Sequence, residues 1–158
     1  MFVLLNHLHR LRRTTPPARG RRGSLALRLV DAGSCNGCEH ELTAAANPLY
    51  DLQQYGLNVV ASPRHADVLL VTGAITTRMA TALRVAYDAM PEPRLVAALG
   101  DCALGCNLLG QHAEFVGALE DIVPVDLRIR GCPPTPAVIA TALTAALHDL
   151  QASSAARA

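Results

Sequence analysis

The sequence predicts an α/β domain built on a parallel sheet with helices on both faces. Apolar runs of strand length alternate with segments of helical periodicity along most of the chain. Two runs, residues 66–75 (ADVLLVTGAI) and 94–103 (RLVAALGDCA), are almost continuously apolar, as strands covered on both faces are. Cysteines recur just past the predicted carboxyl ends of strands, where open parallel sheets build their sites.

The elements follow in order. Residues 24–33 (SLALRLVDAG) read as a buried strand ending in a glycine loop. Residues 39–55 are helical in period, with Leu42, Ala45, Ala46, Leu49 and Leu52 on one stripe; Pro48 must kink or divide that helix. Residues 57–63 (LNVVASP) form a short strand, and 66–75 a buried one. Thr76 or Thr77 caps a helix to about Met90. Residues 94–103 form another buried strand, and 111–121 have weak helical character. Residues 125–134 (VDLRIRGCPP) alternate as a short strand that ends in a loop. Thr135 then caps a helix through about Leu150, with Pro136 in its first turn. The organisation is an arm over 1–23, one α/β domain over 24–150 and a loose tail over 151–158 (QASSAARA).

The 158 residues suffice for one domain with a real core, and 51% are apolar. The net charge of +1 conceals an asymmetry. There is no lysine, and six of the fourteen arginines (Arg10, Arg12, Arg13, Arg19, Arg21, Arg22) stand in the first 22 residues, which hold no acid. The rest of the chain sets eight arginines against thirteen acids, a charge of −5. The basic run lacks interleaved aromatics and precedes an acidic domain, which argues against nucleic acid. Arg12-Arg13 leads into TTPPARGRRG, polar and proline-broken, which argues against twin-arginine export. No window offers 18 uncharged apolar residues for a membrane span. Phe2, Val3, Leu4, Leu5 and Leu8 would give an apolar helical face beside the arginines, suited to membrane or partner docking; the plainer alternative is a frayed terminus.

Five cysteines on a chain with no secretion signal point to metal or redox chemistry rather than a disulfide framework. Cys35 and Cys38 form a Cys-x-x-Cys loop after the first strand. Cys102 follows the LVAALGD run at 95–101, with Cys106 close behind, and Cys132 stands in a Gly-Cys-Pro-Pro loop. Four thiolates can hold zinc, although structural zinc usually pins smaller domains than this one. Dithiol exchange at a helix start would use Cys35 and Cys38 but leaves Cys102 and Cys132 unexplained. Cys102 and Cys106 also suit small buried apolar positions, a reading that serves Cys132 poorly. The third chemistry is a [4Fe–4S] cluster on four thiolates. Pro133 after Cys132 supports it, as do Gly33, Gly37, Gly100, Gly105 and Gly131, whose bare backbone can approach cluster sulfurs.

The string DAGSCNGCEHEL…NPLYDLQQYG…SPRHADVLLVTGAIT…GDCA…GCPPTP resembles the 20-kDa small subunit shared by respiratory complex I and membrane-bound, energy-converting [NiFe] hydrogenases. The similarity spans roughly residues 25–146. Complex I members carry adjacent cysteines at the first site, so the Cys-x-x-Cys here is closer to the hydrogenase branch, including the formate hydrogenlyase type. The resemblance implies a flavodoxin-like fold and one [4Fe–4S] cluster on Cys35, Cys38, Cys102 and Cys132. It implies electron transfer between a ferredoxin-like iron–sulfur subunit and a large subunit with a [NiFe] centre or a quinone site. The expected place is the cytoplasmic face of the cell membrane, peripheral and within a complex, with the arm meeting membrane subunits. A four-cysteine zinc scaffold in such an assembly is the alternative. Glu41 matches a family glutamate at the face toward the large subunit, where a role in proton movement or at the interface is expected; its plain reading is a solvated first-turn acid. The family usually continues C-A-x-x-G-G where this chain reads CALGCN, so Cys106 replaces a glycine and is the alternative ligand to Cys102. His40 is read as meeting solvent, a partner or a cluster sulfur, and Asp101 and His112 as ordinary loop and surface residues. No flavin is expected, because cysteines stand where a phosphate-cradling loop would follow the first strand.

Overall fold

The computed structural model describes residues 23–106 and 113–155. The chain runs β1 (Leu25–Asp31), α1 (Gly37–Ala45), β2 (Leu57–Val59), β3 (Val68–Thr72), β4 (Ile75–Thr76), α2 (Thr77–Asp88), β5 (Leu95–Leu99), β6 (Phe115–Gly117), β7 (Leu127–Ile129) and α3 (Pro136–Ala155). Five strands make one parallel sheet in the order β2-β1-β3-β5-β7. Its register sets Leu29 beside Leu70, Leu70 beside Ala97, and Ala97 beside Leu127. The winding reverses about β1 and β3, the doubly wound order expected of a flavodoxin-like sheet.

Strand alternation sends side chains to two cores. On one face Leu27, Leu70, Ala97 and Leu99 meet Leu42 and Ala45 of α1 and Ile139, Leu143 and Leu147 of α3. On the other, Val30, Leu69, Val71, Val96 and Ala98 meet Leu83 of α2. Helices on both faces are why β3 is buried along its whole length and reads as an unbroken apolar run.

All five long-sheet strands fall inside the predicted segments. Thr76 is the residue that caps α2, its Oγ1 accepting the Met79 N–H at 3.3 Å. Thr135 Oγ1 sits 3.5 Å from the Val138 N–H at the start of α3. The 39–55 helix is divided, as Pro48 requires. α1 stops at Ala45, Asn47 Oδ1 accepts the Leu49 N–H at 2.8 Å, and Leu52–Tyr55 forms a separate 3₁₀ turn.

Three expectations are corrected. Residues 66–75 are not one strand: β3 ends at Thr72, the chain turns at Gly73–Ala74, and β4 pairs antiparallel with β6. The segment read as weakly helical instead carries β6 and a 3₁₀ turn, Leu119–Asp121. The Asp121 carboxylate takes the Ala118 N–H at 2.9 Å and closes a local turn where a helix would need its own ladder. α3 continues to Ala155, past Leu150 and into the segment read as a loose tail; Gln, Ala and Ser there contain no breaker. The basic arm over 1–22 and His112 lie outside the described residues.

Candidate functional site

Three loops leave the carboxyl edge of the sheet, and each carries cysteine. After β1, Asp31 Oδ1 accepts the N–H groups of Gly33 (2.8 Å) and Ser34 (2.7 Å), and Ser34 Oγ accepts that of Asn36 (3.1 Å). These turns deliver the chain into α1 with Cys35 exposed before the helix and Cys38 buried in its first turn. After β5, the ladder continues briefly: the Gly100 N–H donates to Ile129 O at 2.8 Å and the Asp101 N–H to Gly131 O at 2.9 Å. Cys102, half-buried, follows at once. After β7, Cys132 is exposed and its bond to Pro133 is cis.

The packing here leaves no room for a side chain at two glycines. A Cβ on Gly100 would lie 2.5 Å from Cys38 Sγ, and one on Gly131 2.6 Å from Pro134 Cα. Both glycines hold positive φ, +90° and +140°, which other residues adopt only with strain. Gly100, from the β5 loop, is therefore the floor against which the Cys38 sulfur rests.

The thiols converge on Cys38. Burial pushes its pKa up from 9.0 to about 12, and the negative charge of Glu39, Cys102, Cys35 and Cys132 pushes in the same direction. Cys106 is not among these neighbours. It is exposed, its N–H donates to Asp101 O at 2.9 Å, and its thiol turns toward Leu104 O at 3.6 Å. Among the described residues, no three Cys, His, Asp or Glu side chains stand close enough to hold a single metal ion. Zinc bonded to four thiolates at about 2.3 Å would bring the sulfurs within roughly 4 Å of one another.

Four thiols around a cradle that a Cβ would fill are a donor set suited to an iron–sulfur cluster. The family model for the 20 kDa subunit of NADH ubiquinone oxidoreductase matches residues 35–146, beginning at the first of these cysteines. The chain belongs to this family. A probable membrane-bound hydrogenase subunit, mbhJ, of Pyrococcus furiosus is 40% identical over 121 residues, 77% of this chain and 72% of that protein. Formate hydrogenlyase subunit 7 of Escherichia coli is 42% identical over 122 residues, 77% of this chain but only 48% of its own length. Among solved structures, a chain of the membrane-bound sulfane sulfur reductase, described as an archaeal respiratory membrane complex, superposes with a TM-score of 0.71. It is 26% identical, with 83% of this chain and 72% of that chain covered.

Within this family fold, Cys35, Cys38, Cys102 and Cys132 come together and Cys106 stands apart. Glu41 is half-buried on α1 but is not among the groups acting on Cys38; His40 is exposed. The acid nearest in effect is Glu39, which the sequence reading passed over. Its Oε1 accepts the hydroxyl proton of Thr72, a fully buried residue at the end of β3, and its Oε2 is buried with no partner among the described residues. Asp101 was legible only as a loop residue, and Asp31 only as part of the first predicted strand. The signal available for all three was position alone: each stands within four residues of a cysteine.

Proposed function

We propose that this chain is a non-catalytic electron-transfer subunit carrying one [4Fe–4S] cluster on Cys35, Cys38, Cys102 and Cys132, within a membrane-associated oxidoreductase of the hydrogenase or complex I type. The observation that carries the reading is the convergence of three separate loops on the buried Cys38 thiol. Family membership supports it. When bound, the cluster supplies one-electron transfer. The chain's own part is to bind and to insulate. Cys38 anchors from the core side, where burial excludes water, while Cys35 and Cys132 close the solvent side. Cationic iron favours the thiolate and so opposes the upward push on Cys38 that holds in its absence.

The proposed partners are a large subunit bearing the catalytic centre, a ferredoxin-like subunit that exchanges electrons with this one, and membrane subunits met through the basic arm. Leu49 and Tyr55 are exposed and line an apolar groove of about 480 Å³ between the 49–55 segment and α3, as a subunit's surface would be before assembly. Among the described residues no helix is long and apolar enough to cross a membrane, in keeping with peripheral attachment. The deciding experiment is chemical analysis of anaerobically purified protein. About four iron and four labile sulfide per chain are expected. Stoichiometric zinc without labile sulfide would sink the cluster and leave the zinc scaffold.

A further inference from the structure

We propose that Asp101 is the positioning residue of this site, a clamp that fixes the spacing between Cys102 and Cys132; this rests on the cluster reading above. β5 and β7 are parallel neighbours paired from Ala97–Leu127 to Leu99–Ile129. Both chains leave the sheet within three residues of that last pair, and each then presents a cysteine. Ladder hydrogen bonds would ordinarily stop where the strands diverge. Here they are carried further. The Asp101 N–H donates to Gly131 O at 2.9 Å, and Asp101 Oδ1 accepts the Gly131 N–H at 2.9 Å. The carboxylate replaces the backbone carbonyl that the turning β5 loop no longer offers. The residue bound is the one before Cys132, and the residue binding is the one before Cys102.

Two further contacts make the clamp specific. The Asp101 carbonyl accepts the Cys106 N–H at 2.9 Å, closing the turn that contains Cys102. Gly131, at φ +140° and packed against Pro134, has little freedom to find another acceptor for its N–H. One side chain thus ties the β5 turn to the β7 loop, and a charged acceptor makes the stronger tie. The same loops bring Gly100 against Cys38 Sγ, so slack between them would reach three of the four thiols.

The test uses the full-length subunit in its native assembly, purified without oxygen. Iron, labile sulfide, the reduced-state paramagnetic spectrum and the midpoint potential are measured for the parent, Asp101→Ala and Asp101→Asn. A parent without iron and sulfide overturns the cluster reading itself, before any variant is compared. With a loaded parent, Asp101→Ala should lose at least half its iron or show a broadened, shifted spectrum. Asp101→Asn keeps an acceptor oxygen and should keep the cluster. Asp101→Ala with parental iron, line shape and potential overturns the clamp; so does Asp101→Asn failing as badly as Asp101→Ala. Should Asp101→Ala not accumulate folded, Asp101→Glu carries the test, because it preserves the charge while setting the acceptor one methylene too far. A changed spectrum supports the clamp, and a parental spectrum and potential overturn it.

Discussion

Replacing Gly100 with alanine isolates the geometry of the site in a single methyl group. The added Cβ would stand 2.5 Å from Cys38 Sγ, whereas heavy atoms rest at about 3.5–4.0 Å. The sulfur must therefore retreat by about 1 Å, several times the roughly 0.2 Å within which metal–ligand distances are held. The backbone adds its own cost. At φ +90°, an L-residue is strained by about 1–2 kcal/mol, and overpacking a buried site costs about 1–3 kcal/mol more. The sum, about 2–5 kcal/mol, is a large share of the roughly 5–15 kcal/mol that holds a typical domain folded. Gly37→Ala is the matched control. Its Cβ would lie 3.5 Å from Cys35 Sγ and 3.6 Å from Pro133, ordinary contacts, in the first turn of a helix that favours alanine over glycine. The assay is iron and sulfide per chain, with the denaturant midpoint of the cluster-free protein measured alongside. Gly100→Ala should lose most of its iron and unfold at lower denaturant, while Gly37→Ala should match the parent or exceed it slightly. Full iron and a parental midpoint in Gly100→Ala would refute the claim that the β5 loop seats Cys38.

Cys35→Ser, Cys38→Ser, Cys102→Ser and Cys132→Ser should each damage or abolish the cluster, and Cys106→Ser should leave the reduced paramagnetic signal largely intact; loss with Cys106→Ser and retention with Cys102→Ser would exchange those two roles. Thr72→Val removes the hydroxyl that the half-buried Glu39 accepts, so unfolding should cost about 1–3 kcal/mol less, and an unchanged denaturant midpoint would count against this brace. Deleting residues 1–22, which lie outside the described structure, should leave the cluster domain folded, since β1 begins at Leu25. The same deletion should release the subunit or its soluble module from membranes, given roughly 1 kcal/mol of attraction per arginine near an anionic surface and its loss at high salt; full membrane retention with unchanged salt response would refute the docking role.

The apolar runs at 66–75 and 94–103 made the parallel sheet legible, because strands covered on both faces cannot hide their composition. Cysteines following three predicted strands made the site legible, because parallel topology sends those ends to one edge. What the sequence did not reveal depends on contacts between segments far apart in the chain. The 111–121 segment has a helical period, but pairing of Phe115 with Thr76 makes it a strand. Glu41 and Glu39 sit in the same short motif; the resemblance pointed to Glu41 alone, and only the approach of Thr72 from β3 brings Glu39 to notice. Cys106 and Cys102 likewise share one turn; the family resemblance favoured Cys102, and the structure sets Cys102, not Cys106, among the groups acting on Cys38. Gly37 and Gly100 read alike as glycines beside cysteines; a methyl is harmless at the first and collides with sulfur at the second. The sequence by itself determined the layering and which edge carries the chemistry, because hydrophobic period and strand order are local properties. The tertiary structure alone decided which acid meets Thr72, which of Cys102 and Cys106 gathers around Cys38 and which glycine meets its sulfur, because each contact joins residues about thirty or more positions apart, whose approach no local pattern encodes.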